Sequence, residues 1–390
     1  SFYAALWRAI IRPPRSYYTT DSMGPVKFRL NLPRLEADGD GCSPGAQCAG
    51  ETCMARTFVR KDLRLKNSLG LDLECSHFCP ANDEGTTKRP CVIYLHGNSS
   101  CRMESYAVMP LLLRFSLTLF TFDFAGSGLS DGDFVTLGHY EEQDLRLVID
   151  YLRTQEDVGS IGLWGRSMGA VTAILRTSAD SSSIAACVLD SPFSDFQSLV
   201  FDVAHAHSEK LPRWLVEMCL GMACKEVKER AGFDPRDLVP AERASLCKCP
   251  ALFGVAAQDC LVRPERSEAV HRAWRGESSL RKFDGSHGSK RPQWFVAEAA
   301  CFLAEKLALA DEVDSQLTHA SDVYFNSDEC EQYRRMATRS KAVQRILEST
   351  QISSAVDAYI RCERIGSAID TYLDEGSNAR AEWLWCKGRK

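Results

Sequence analysis

Residues 162–171 read GLWGRSMGAV. An apolar run enters Gly165-Arg166-Ser167-Met168-Gly169, and helix formers leave it. Either Ser167 sits on a sharp turn from a buried strand into a helix, or it is a serine that falls between two glycines. The pentapeptide alone decides little, because a Gly-x-Ser-x-Gly spacing arises by chance in roughly one chain of this length in ten. The sequence on either side has to decide.

On both sides, short apolar runs alternate with helical patterns. The runs are Cys91–Leu95, Leu117–Asp123, Ile161–Trp164, Ala185–Asp190, Ala251–Ala256 and Leu280–Phe283. Between two of them, Leu145, Val148, Ile149 and Leu152 recur at helical spacing, which marks an amphipathic helix. Continuous apolar strands alternating with helices predict an α/β fold, with a mostly parallel sheet covered on both faces. In such sheets ligands bind beyond the carboxyl ends of the strands. Ahead of these runs, residues 56–78 (RTFVRKDLRLKNSLGLDLECSHF) read as two strands with a turn at Asn67–Gly70.

The flanks read differently. Residues 1–55 look like an appendage: a short amphipathic helix broken at Pro13-Pro14, then a Gly-rich loop. Its Trp7, Ile10 and Ile11 can dock on the main domain or touch a membrane surface. Cys42, Cys48 and Cys53 read as loop thiols, since they lack the tight pairs of a structural zinc site. The domain proper spans 56–308. Within it, residues 201–239 break the rhythm and predict a small helical cap over the strand ends. Residues 311–390 read as a helical tail with two apolar faces, one with Met336, Val343, Ile346 and Leu347, the other with Ile365, Ile369, Tyr372 and Leu373. The tail is a candidate docking element for a protein partner.

Bulk composition narrows the class. At 390 residues, 45% hydrophobic and 25% charged, the chain suits a globular protein of one large domain with additions, or two domains. A net charge of −5 argues against bulk nucleic-acid binding. The 17 cysteines are odd in number and scattered, as expected of reduced thiols in a cytoplasmic protein. The best apolar stretch, Val108–Phe124, is interrupted by Pro110 and Arg114 and reads as a helix end followed by a strand. Peripheral membrane contact through the N-terminal helix stays open. The chain opens on Ser1, which also leaves room for a targeting segment ahead of it.

Strand, tight turn, helix is the setting a serine nucleophile requires. Gly165 and Gly169 let the helix pass close to the strand. The Met168 N–H then lies at a helix N-terminus, where a developing oxyanion is stabilised. A second donor is expected from His96-Gly97-Asn98-Ser99, just after the run Cys91–Leu95. Either Asn98 or Ser99 can supply it, and His96 reads as support for that loop. Among the eight histidines, His287 fits a general base: it follows a strand and sits in a Gly/Ser-rich loop. His205 and His207 fall in the cap and read as structural. The acid is expected between nucleophile and base, and Asp259 ends the strand at 251–256. Its rivals are Asp190 and Asp195. The glycine-rich stretch FDFAGSGLSDGD (122–133) lacks the Lys-Ser/Thr of a phosphate-binding loop and reads as a tight loop flanking the site.

Taken together, His96-Gly97-Asn98, Asp123–Gly128, Gly165–Gly169, Asp259 and His287 resemble the serine α/β-hydrolase superfamily, whose chain order is Ser, acid, His. The resemblance is strongest to its serine-aminopeptidase-like (hydrolase_4) branch, which is related to eukaryotic α/β-hydrolase-domain proteins that remove palmitate from protein cysteines. It covers about residues 56–308. The segments IRPPRSYY and SLGLDLECSHF also look like a version found in plants and protists. The expected activity is hydrolysis of a carboxylic ester or thioester, in a small molecule or an acylated protein, with no metal or organic cofactor implied. One alternative is an aminopeptidase that binds a substrate amine through Glu209, Glu217 or Glu226. Another is a non-catalytic scaffold working through its tail.

Overall fold

The computed structural model describes residues 2–32, 54–81, 88–207 and 211–315. Nine strands form one sheet: β1 (Lys27–Leu32), β2 (Met54–Lys66), β3 (Asp72–Pro80), β4 (Arg89–Leu95), β5 (Thr118–Phe122), β6 (Val158–Arg166), β7 (Ala186–Asp190), β8 (Ala251–Ala256) and β9 (Ser278–Phe283). Their spatial order is β1-β2-β3-β5-β4-β6-β7-β8-β9. The first three strands are antiparallel, and β3 also runs antiparallel to β5. From β5 to β9 every pairing is parallel.

The helices are α1 (Phe2–Ile11), α2 (Met109–Arg114), α3 (Glu141–Arg153), α4 (Met168–Ala179), α5 (Phe196–His207), α6 (Arg213–Ala231), α7 (Pro240–Ala244), α8 (Pro264–Ala273) and α9 (Gln293–Ser315). Parallel strands need crossovers, and the helices supply them on both faces. On β4, Cys91, Ile93 and Leu95 join a core shared with α3 and α4, while Val92 and Tyr94 join one shared with α2 and α9. The apolar runs look continuous in sequence because both faces of each strand are buried.

The N-terminal segment departs from its reading as an appendage. β1 adds to the sheet edge by pairing Lys27–Leu32 with Met54–Val59. Trp7 and Ile11 are buried, and α1 packs on α6, where Arg230 lies 4.3 Å from the Trp7 ring. Apolar residues on one side of α1 are thus covered by protein, which corrects the domain boundary at residue 55. Cys42, Cys48 and Cys53, Glu209 and the tail beyond Ser315 lie outside the described residues, as does the side chain of His207. The cap is present as α5 and α6 and begins earlier than expected, at Phe196. Its helix α6 exposes Trp214 and Met218. Among the described residues, no helix is long and apolar enough to cross a membrane.

One buried group gives the fold a pH dependence. His77 on β3 lies against Phe120, with its Nε2 4.0 Å from the Cys91 thiol. Burial pushes its imidazole down to about 4, with Asp157 pulling weakly the other way. In the unfolded chain it titrates near ~6.5. Between those values only the unfolded chain takes up the proton, so stability falls as the pH drops from about 6.5 towards 4. The loss is about 2 kcal/mol between pH 7.5 and pH 5. Urea denaturation at both pH values should show that His77→Gln removes this share of the difference; an unchanged difference would contradict it.

Candidate active site

The strand-to-helix turn has the geometry its sequence demands. Ser167 adopts φ 52° and ψ −115° between β6 and α4, a conformation that costs a non-glycine residue about 1–3 kcal/mol. Its N–H is held by the Asp190 carbonyl at 2.7 Å, and its carbonyl accepts the Val171 N–H at 3.0 Å. The glycines are required by contact. A Cβ on Gly165 would lie 2.4 Å from the Gly169 oxygen, and one on Gly169 would lie 2.0 Å from the Leu95 oxygen. Helix α4 therefore passes directly over β6 and β4, and Ser167 stands at the carboxyl end of the sheet.

His287 and Asp259 converge on this serine from two later loops. The His287 Nε2 lies 2.9 Å from Ser167 Oγ, and its Nδ1 lies 2.7 Å from Asp259 Oδ2. The second oxygen of Asp259 accepts the N–H groups of Leu261 at 3.0 Å and Val262 at 2.7 Å. With the carboxylate ionised, Nδ1 carries the imidazole proton and Nε2 is left to accept from Ser167. The Asp259 side chain is 1% exposed and that of His287 12%, so the base alone reaches the surface.

The rivals of Asp259 are committed elsewhere. The Asp190 carboxylate receives two hydrogen bonds from Arg291, at 2.6 and 3.0 Å. Burial opposes its charge, yet Arg291, helped by Arg166, holds its carboxyl below the usual range. Asp195 caps α5 by accepting the Ser198 N–H at 2.7 Å, and also accepts the Ser194 hydroxyl. His96 is fully buried. Its Nδ1 donates to the Gly97 carbonyl at 2.8 Å and its Nε2 accepts the Phe124 N–H at 3.2 Å, so it ties two loops together. His205 is exposed on α5.

The loop after β4 lies beside the serine: a Cβ on Gly97 would sit 3.9 Å from Ser167 Cβ. The Ser99 N–H bonds to the side-chain oxygen of Asn98 at 3.0 Å. That bond occupies the Ser99 N–H. Met168, first residue of α4, has no intrahelical acceptor for its N–H. The glycine-rich loop 122–133 folds back on itself through Gly126 N–H to Asp131 and Ser127 N–H to Phe124.

Four supporting groups escape a linear reading. Glu104 accepts the Gly97 N–H at 3.1 Å and the Tyr94 hydroxyl at 3.0 Å, and stands 3.6 Å from Arg166. Arg166 in turn donates to the His287 carbonyl at 2.8 Å. Arg15 bonds to the carbonyls of Gly126 and Gly132, and the Ser16 hydroxyl donates to the Ser99 carbonyl. A trace was legible for Arg166, whose place next to Ser167 puts its side chain at the site. The partners of Arg15 and Ser16 lie 83 to 117 residues away.

Comparison with known proteins agrees with this architecture. Residues 86–239 match the family model described as Hydrolase_4, serine aminopeptidase S33. An uncharacterised Bacillus subtilis protein, YqkD, is 28% identical over 219 residues, covering 55% of this chain and 68% of its own. An uncharacterised 31.7 kDa Escherichia coli protein from the traX-finO intergenic region is 25% identical over 230 residues, covering 49% of this chain and 79% of its own. The Pyrococcus furiosus esterase Pf2001 superposes with a TM-score of 0.50 at 24% identity, over 65% of this chain and 94% of that one. The sheet order, the crossovers and the family match define an α/β-hydrolase fold. Within that fold, residues 86–239 are similar to the serine aminopeptidase S33 family.

Proposed function

We propose that the chain is a serine hydrolase that cleaves a carboxylic ester or thioester through an acyl-enzyme. The observation that carries this reading is the unbroken hydrogen-bonded line from Ser167 Oγ through His287 to Asp259. A substrate carbonyl placed over Ser167 is attacked by Oγ as His287 Nε2 takes the hydroxyl proton, a role worth about 10² to 10⁴ in rate. Asp259 stabilises the imidazolium. The oxyanion meets the N–H groups of Met168 and Asn98, and one such donor typically contributes about 3–4 kcal/mol. Collapse of the tetrahedral species breaks the bond to the leaving oxygen or sulfur, which takes the proton from His287. Water, deprotonated by His287, then attacks the acyl-serine and restores the free hydroxyl.

The substrate is a small-molecule ester or an acylated protein. Labelling with a fluorophosphonate probe tests the chemistry: the folded chain should be modified at Ser167, and a chain that stays unlabelled contradicts the proposal. Esters and thioesters of graded acyl length then rank the leaving group and the chain. The aminopeptidase alternative loses support from the cap. Glu217 is paired with Arg213 at 2.9 Å and Glu226 with Arg230 at 2.5 Å, so a substrate amine would have to compete with an arginine for either described carboxylate. Poor turnover of aminoacyl-arylamides beside acyl esters is the corresponding expectation.

A further inference from the structure

The loop that carries His287 is held by hydrogen bonds alone, among them the Arg166 donation to the His287 carbonyl and the mutual bonds of Ser286 and Ser289. Residues 284–290 between β9 and α9 are Asp, Gly, Ser, His, Gly, Ser and Lys, and none of them is buried. Gly285 adopts φ 129°. There is no apolar side chain to anchor the loop on the core. Yet a general base must stay within hydrogen-bond reach of its proton.

Arg291, at the end of this loop, is 9% exposed at its side chain. One edge of its guanidinium forms the two-bond fork to Asp190, from Nε at 2.6 Å and Nη2 at 3.0 Å. Its Nη1 turns the other way and donates to three carbonyls of the loop: Ser289 at 2.9 Å, His287 at 3.1 Å and Ser286 at 3.2 Å. Asp190 is no remote anchor, because its own backbone carbonyl receives the Ser167 N–H at 2.7 Å. One buried residue thus holds the nucleophile through its main chain and, through Arg291, the base through its side chain.

We infer that Arg291 and Asp190 are positioning residues for the reaction: a clamp that sets the distance between His287 and Ser167. The inference rests on the reading of those two residues as base and nucleophile. It explains why a carboxylate ends an otherwise apolar strand. A charge there needs a partner, and only a planar, forked donor can satisfy the carboxylate and three carbonyls at once. A lysine could neutralise Asp190 but could not span both.

Steady-state kinetics and phosphonate labelling of two variants test the clamp. Arg291→Lys keeps the charge beside Asp190. It should lower kcat about tenfold and slow labelling of Ser167 in parallel, with KM unchanged. Arg291→Ala should lower kcat about 100-fold, as a displacement of about 1 Å can do. Added ethylguanidinium should restore much of that loss by refilling the vacated site. A purely structural arginine would move thermal stability without the split between kcat and KM and without the rescue. Wild-type kcat in Arg291→Lys overturns the clamp, as does a folded Arg291→Ala that ethylguanidinium does not revive. Should Arg291→Ala fail to fold, Arg291→Lys alone decides. A wild-type chain that does not label overturns the reading beneath the clamp and the clamp with it. Wild type and variants that label equally fast overturn the clamp alone.

Discussion

Replacing Ser167 by alanine should abolish ester turnover, by about a millionfold in kcat, with the fold intact. The size follows from the unit in which Ser167 works. Without Oγ, His287 has no proton to take and no acyl-enzyme forms, so donors on Met168 and Asn98 act only on a water-driven reaction. The residual catalysis of such sites is about 10³–10⁴ over water. The fold should survive because Ser167 is held by its backbone, through Asp190 and Val171. Its strained φ adds a second readout: Ser167→Gly should also be inactive yet more stable by about 1 kcal/mol, since glycine accepts a positive φ without strain. Turnover of p-nitrophenyl esters and thermal melting check both. Appreciable activity in Ser167→Ala, or a less stable Ser167→Gly, would run against the argument.

Asp259→Asn should cost about 10⁴ in kcat, a loss that here is a matter of tautomers. One Asp259 oxygen is pinned by two backbone N–H groups and the other faces His287 Nδ1. An asparagine must turn its oxygen towards the backbone donors, because its NH₂ group would collide with them. The NH₂ then faces Nδ1 and donates to it. The imidazole proton is forced onto Nε2, where it points at Ser167 Oγ and cannot accept. The variant should fold normally and label slowly with the phosphonate. Near-normal turnover would detach Asp259 from the reaction, and the commitment of Asp190 to Arg291 would leave no obvious replacement.

The parallel strands were legible because burial on both faces writes itself as an unbroken apolar run, as at Cys91–Leu95 and Ala251–Ala256. Strand β1 was not. Phe28 and Leu30 are buried there while Lys27 and Arg29 are exposed, a short alternation behind a proline-rich segment, and its partner begins at Met54. At the site, Ser167, Asp259 and His287 could be singled out because each follows a strand at a loop of fitting composition. Between Asn98 and Ser99 a linear reading offers no choice, since it cannot say where the Asn98 side-chain oxygen points. Arg291 stayed hidden for a different reason. Its meaning lies in Asp190, 101 residues away, and an arginine four residues past a histidine carries no mark of its own.

The N-terminal segment has a consequence for the order in which this molecule comes together. Tyr18 meets Asp123 across 105 residues, Arg15 reaches Gly132 across 117, and Ser16 holds Ser99 across 83. Trp7 waits for Arg230 on α6. These residues leave the ribosome before any of their partners exist. Closing such long loops costs entropy that is repaid only when the partners are already in place. A segment synthesised ahead of all its partners is therefore among the last to dock. The loop carrying Asn98 takes its final support from it, so the surroundings of Ser167 settle only after the sheet that bears them has formed.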